Sequence, residues 1–178
     1  MRIAFSGTHR VGKTSLLEAV SSALPTYATV DEPYYQLEED GYEVAEDPSC
    51  EDFEAQLERS ISSLEDSEQN VLFDRCPADI FAYLLTHEDA ESFEPDEWIE
   101  RAREAMEALD LVVFVPIEQP DRIALPSHED RRKRLRVHKK LEYLLLEDPY
   151  EFGATVLVVT GDAEQRLSAV LQRLCSSA

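Results

Sequence analysis

A chain of 178 residues with 43% hydrophobic content can close one core, and a single domain over residues 1–178 is the expectation. A formal charge of −21 at pH 7 repels nucleic-acid backbones, which argues against a nucleic-acid partner, and fits either high solubility or a salty habitat. No apolar run approaches the ~20 residues that cross a bilayer, no signal-peptide pattern opens the chain, and Cys50, Cys76 and Cys175 have no metal-ligand spacing; the reading is a cytoplasmic chain with reduced thiols and no membrane partner.

Short β-branched runs and helical apolar spacing then alternate along the chain. A strand is predicted over Arg2–Ser6, followed by GTHRVGKT, Gly7 to Thr14. A helix over Lys13–Ala23 carries Leu16, Leu17, Val20 and Leu24 on one face. A weaker strand, Tyr27–Val30, runs into DEPYY, where Pro33 ends it and turns the chain. The acidic stretch Glu38 to Asp52 reads as a solvated connector or as a mobile flap. A helix over Cys50–Leu64 places Phe53, Leu57, Ile61 and Leu64 in register. Strand Asn70–Phe73, helix Ala78–Leu85, helix Asp96–Ala108 and strand Leu111–Val115 follow. A helix over His128–Leu146, a strand over Thr155–Val159 and a helix over Ala163–Leu174 complete the chain. Such alternation predicts a three-layer α/β fold, a parallel sheet with helices on both faces.

Gly7, Thr8, His9, Arg10, Val11, Gly12, Lys13, Thr14 and Ser15 fit the phosphate-binding loop between a strand and a helix. Its backbone amides and the helix dipole are expected to cradle the phosphates of ATP, with Lys13 on the β- and γ-phosphates and the Thr14 hydroxyl on Mg²⁺. Asp74 ends an apolar strand beside that loop and is the second expected Mg²⁺ ligand. Arg75 then contacts an acceptor or the moving phosphate, or forms a buried structural ion pair. Glu32 is the candidate base for an attacking hydroxyl, with Asp31 its rival, and Tyr34 and Tyr35 flank an acceptor or pack in the core.

Seven of the 17 basic residues fall in RRKRLRVHKK, Arg131 to Lys140. Ser127 can cap this helix with Asp130 three residues on, and Arg132, Arg136, Lys139 and Lys140 share one face. Arg132 and Arg136 are expected to stabilise the transferring group from a lid over residues 120–147, the other reading being a solvated basic helix. Thr160, Gly161 and Asp162 line an adenine pocket or form an ordinary strand-to-helix turn.

Together these residues resemble the P-loop nucleoside and nucleotide kinases. Glu32-Pro33 resembles the catalytic Glu-Pro of deoxynucleoside kinases. Asp74-Arg75 resembles the acidic-Arg pair of those enzymes and of thymidylate kinases, and Arg131 to Leu146 resembles their Arg-rich lid. FDRCPADIFAYL also looks like the AAA-like ATP-binding group related to the nicotinamide riboside kinase half of NadR-type proteins. The resemblance implies sheet order 2-3-1-4-5, Mg-ATP as donor and a small nucleoside-like hydroxyl acceptor. His9 and Arg10 depart from the small residues many nucleoside kinases hold there, only Gln36 and Gln56 are candidates for reading a base, and the stretch from Glu38 to Asp52 matches no family element. The competing expectation is an NTPase switch or regulatory ATP-binding module, although no Asn-Lys-x-Asp guanine-reading motif is present.

Overall fold

The computed structural model describes residues 1–45, 47–121, 123 and 130–176. Five parallel strands form one sheet: β1 (Arg2–Ser6), β2 (Ala28–Val30), β3 (Val71–Asp74), β4 (Leu111–Phe114) and β5 (Val156–Val158), in the order β2-β3-β1-β4-β5. The helices are α1 (Lys13–Ala23), α2 (Pro33–Glu39), α3 (Cys50–Glu65), α4 (Pro77–Leu84), α5 (Ile99–Glu107), α6 (Arg131–Leu146) and α7 (Ala163–Cys175). This is the predicted α/β architecture and strand order.

The central strand shows why both faces are covered. Successive side chains of a strand point to opposite faces. Ile3 and Phe5 pack with Leu16, Val20 and Val170 of α1 and α7. Ala4 joins Phe53, Leu57, Phe81, Met106 and Leu141 from α3, α4, α5 and α6. A strand buried on both sides reads as a continuous apolar run, as β1 and β4 do. Among the described residues, the α3–α6 layer contains more than twice as many buried apolar side chains as the α1–α7 layer.

Register brings the chemistry to one edge. Phe5 lies beside Asp74 and Ser6 beside Phe114, so the chain leaves β1, β2 and β3 at the same C-terminal edge. Gly7 then turns sharply, and a Cβ there would lie 2.6 Å from the Val115 carbonyl oxygen. Only glycine allows the backbones to approach so closely.

The structure corrects several sequence expectations. Pro33 does not merely end β2; it occupies the first turn of α2, where its fixed φ suits a helix start. The acidic stretch is not one loop. Glu38 and Glu39 close α2, and Asp52 completes a capping box with Ser49 at the start of α3. Pro95–Glu97 forms a 3₁₀ turn, so α5 starts at Ile99 rather than Asp96. β3 extends to Asp74, while β2 starts at Ala28, β4 stops at Phe114 and β5 is confined to Val156–Val158. α6 starts at Arg131, capped by Asp130, whose Oδ1 accepts from the amides of Arg132 (2.8 Å) and Lys133 (3.0 Å). The proposed Ser127 cap and His128 lie outside the described residues.

Candidate functional site

The loop between β1 and α1 is gripped on several sides. On the α4 side, the wholly buried Asp79 accepts from the Gly7 amide at 3.0 Å and from the Cys76 amide at 3.1 Å. Arg75 Nη1 donates to the Gly7 carbonyl at 3.2 Å. From α6, Arg134 donates through Nε to the His9 carbonyl and through Nη2 to the Arg10 carbonyl, each at 3.0 Å, and through Nη1 to Asp121 at 2.5 Å. From α7, Arg166 donates through Nη1 to the Val11 carbonyl and through Nη2 to Glu118, each at 2.7 Å. Glu118 also accepts from the Gly161 amide at 3.0 Å. These long-range bonds hold the loop against the N-terminus of α1, where the helix dipole favours anionic groups.

Lys13, the first residue of α1, is buried and paired with Asp74 Oδ1; its Nζ lies 3.8 Å from Glu32 Oε2. The Thr14 hydroxyl donates to Asp74 Oδ2 at 2.9 Å. A hydroxyl and a carboxylate brought together from α1 and β3 make a hard-oxygen pair of the kind Mg²⁺ selects. The donor set therefore fits the expected ion. The Thr8 hydroxyl nearby is buried without a partner among the described residues.

Glu32 connects this centre to a second space. Its Oε1 accepts from Arg75 Nε at 2.6 Å. Burial pushes the Glu32 carboxyl up, but Arg75 and Lys13, with a smaller contribution from His9, outweigh it and hold it below the usual carboxylate range. Burial works against the Arg75 cation, while Glu32, Tyr83 and Asp79 favour it and raise its pKa overall. Arg75 adopts a left-handed φ of 86°, a conformation that costs a non-glycine residue about 1–3 kcal/mol. Its guanidinium is held by Glu32, the Gly7 carbonyl and Asp79 (3.5 Å), with the Tyr83 ring 5.2 Å away. Arg75 is thus ion-paired and also lines the adjoining cavity.

That cavity is about 480 Å³ and is bordered by His9, Glu32, Tyr34, Phe53, Gln56, Arg75 and Tyr83. Phe53 and Tyr83 form a stacked aromatic wall with centroids 5.2 Å apart, and His9 Nδ1 lies 3.1 Å from the Tyr83 hydroxyl. Gln56 is 3% exposed, and its Nε2 has no partner among the described residues. Gln36 is committed elsewhere, donating to the Asp31 carbonyl at 2.6 Å and accepting from Ser63 at 3.0 Å. Asp47 and Pro48 of the acidic stretch also border the cavity, and Asp47 pairs with Lys133 of α6 at 3.1 Å.

Not all predicted residues converge. Asp31 and Tyr35 are exposed and do not border the cavity, unlike Glu32 and Tyr34. Arg132 is exposed, and Arg136 lines a different groove. The α6 arginine that reaches the phosphate loop is Arg134, which the sequence reading missed. Its signal was position: Arg134 shares the stripe of Val137 and Leu141, the buried side of α6. Arg166 shares a stripe with Val170 in the same way. Gly161 and Asp162 border a cavity of about 290 Å³ with Gly12, Ser15 and Arg166, and Asp162 also caps α7; Thr160 is exposed.

A sequence profile described as an AAA domain matches residues 2–166. The chain belongs to this AAA-domain family. No curated protein matches this chain by sequence. Its fold resembles deoxyadenosine kinase from M. mycoides with dCMP and dCDP bound, at TM-score 0.69 and 17% identity, over 100% of both chains. It also resembles thymidylate kinase from Candida albicans, at TM-score 0.65 and 14% identity over 99% of this chain and 91% of that one. Shikimate kinase from Aquifex aeolicus gives TM-score 0.58 and 16% identity over 99% and 98%. This chain thus has a P-loop kinase-like fold.

Proposed function

We propose that this chain transfers the γ-phosphoryl group of ATP, with Mg²⁺, to a hydroxyl of a small nucleoside-like molecule held in the 480 Å³ cavity. The observation that carries the reading is Glu32: one carboxylate borders that cavity and stands 3.8 Å from the phosphate-loop lysine. An NTPase switch needs the loop but not a carboxylate shared with an adjoining acceptor space. A volume of this size suits a small organic ligand. The chain acts as one domain, with a lid that includes α6; residues 122 and 124–129 of the expected lid over 120–147 lie outside the described residues.

Each residue then has a role. Lys13 and the loop amides position the phosphates and offset the charge that spreads over the moving group. Thr14 and Asp74 would hold Mg²⁺, which, when bound, neutralises charge on the β- and γ-phosphates. Glu32 accepts the proton of the attacking hydroxyl, and Arg75 fixes its orientation. Gly161 and Asp162 border the space for the adenine. Phe53 and Tyr83 offer an apolar wall to the acceptor ring, and Gln56 Nε2 offers a donor to a polar edge.

The deciding experiment follows ADP formation from Mg-ATP with and without a pool of nucleosides, nucleoside monophosphates, shikimate and nicotinamide riboside. ADP dependent on the pool supports the kinase reading, and mass spectrometry then identifies the phosphorylated acceptor. The same rate without acceptor rejects it in favour of an NTPase. With the acceptor known, Gln56→Leu is expected to raise its KM about 3–10-fold, as for one lost hydrogen bond. The KM for ATP should not move; an unchanged acceptor KM removes Gln56 from recognition.

A further inference from the structure

The basic block of α6 divides between two spaces. Arg134 and Lys133 face the phosphate loop and the acceptor cavity. Arg136, Lys139 and Lys140 border neither and, with Tyr143, form one wall of an open groove of about 660 Å³. The other wall is Leu85 to Glu88, directly after α4.

Three cations at positions i, i+3 and i+4 repel one another along a helix. The chain has 38 acidic residues, yet none of these three forms an ion pair with a described residue. Lys140 Nζ instead lies 5.8 Å from the centre of the Tyr143 ring. Glu88 is the acidic residue lining the groove. At physiological salt, charges more than ~8 Å away are largely screened. The triad together with the facing Glu88, rather than the net charge of −21, therefore sets the potential that a small ion meets in this groove.

We propose that the α4–α6 groove is a second anion site, taking an oligophosphate group through Arg136, Lys139 and Lys140. Three donors on adjacent turns match several closely spaced phosphate oxygens better than a single carboxylate. The exposed Tyr143 ring provides a surface on which a nucleotide base can stack if the oligophosphate belongs to a nucleotide. One wall is α6, which grips the phosphate loop through Arg134, and the other directly follows α4, which grips it through Asp79. An occupant would brace the two supports against each other.

Calorimetric titration with inorganic tripolyphosphate tests this directly. The wild-type chain is expected to take two equivalents, Lys13→Ala one, Lys139→Glu/Lys140→Glu one, and the triple variant none. At the groove site, identified in the Lys13→Ala background, reversing both charges should weaken binding roughly 100-fold or more, from two lost charge-assisted contacts. Affinity should also fall steeply with added salt. Full retention of both equivalents in Lys139→Glu/Lys140→Glu overturns the proposal, as does no binding by Lys13→Ala. Failure of the phosphate-loop reading looks different: Lys13→Ala then keeps every equivalent that wild type binds. Repeating the Lys13→Ala titration with ATP separates the two sources. Equal affinity assigns the site to the oligophosphate alone, and tighter binding assigns it to a nucleotide.

Discussion

Replacing Lys13 with alanine is expected to lower phosphoryl transfer at saturating ATP by about 10²–10³-fold, the loss seen when one preorganised charge donor is removed from a transition state. Lys13 is buried beside two carboxylates, Asp74 and Glu32, so no neighbouring cation replaces it at that point. Arg75, the other cation at Glu32, is held by Glu32, Asp79 and the Gly7 carbonyl and is not free to move in. Deleting the lysine also removes the buried cation paired with Asp74 and so alters the surroundings of the expected Mg²⁺ ligand. Initial rates over a range of ATP and Mg²⁺ concentrations separate the effects, since excess Mg²⁺ restores occupancy but not the lysine charge. Unchanged turnover rejects the phosphate-loop reading.

Glu32→Gln is expected to cut transfer by roughly 10²–10⁴-fold, the range for loss of a general base. The glutamine is isosteric and can still accept from Arg75 through its amide oxygen, so the cavity should keep its shape. ATP affinity should therefore be preserved. A carboxylate held below its ordinary range is a weak base, which sits awkwardly with this role. A loose transition state reconciles the two, because the acceptor proton leaves late, when its oxygen is already strongly acidic. The pH profile follows. Transfer by the wild-type chain should persist below the ordinary carboxylate range and fall only as pH drops through the depressed Glu32 value. The stability contribution has the same sign: it is present above the unfolded carboxylate pKa and lost as pH falls through the folded one. Glu32→Gln should lose that acid limb of the activity profile, and equal activity in the variant removes Glu32 from the chemistry.

The parts of this site that rest on local rules were readable from the chain. The spacing of Gly7, Gly12, Lys13 and Thr14 dictates a loop and a helix start, and Asp74 follows from an apolar strand that stops in a carboxylate. The parts that rest on distant contacts were not. Arg134 binds carbonyls more than 120 positions earlier, and Arg166 one that is 155 earlier. Periodicity placed these arginines on buried helix faces, where a sequence reading expects apolar packing. The selected Arg132 and Arg136 looked more accessible because they lie on the solvent side. The same limit hid α2: seven residues opened by a proline and two tyrosines give too little period to separate a helix from a strand exit. Asp79 was within reach, since a Pro-initiated helix with an acid at its third residue is a capping pattern. Its second bond, to Gly7, required the fold.

The unequal filling of the two helical layers has a consequence for the unfolding hierarchy. The layer that carries the start of the phosphate-binding helix, α1 with α7, has the smaller share of buried apolar contacts. Subglobal opening should begin there, with amides of α1 and α7 exchanging hydrogen for deuterium before those of α3 and α4. A nucleotide that binds only the closed layer then acts as the missing part of its core, slowing that exchange in proportion to its occupancy.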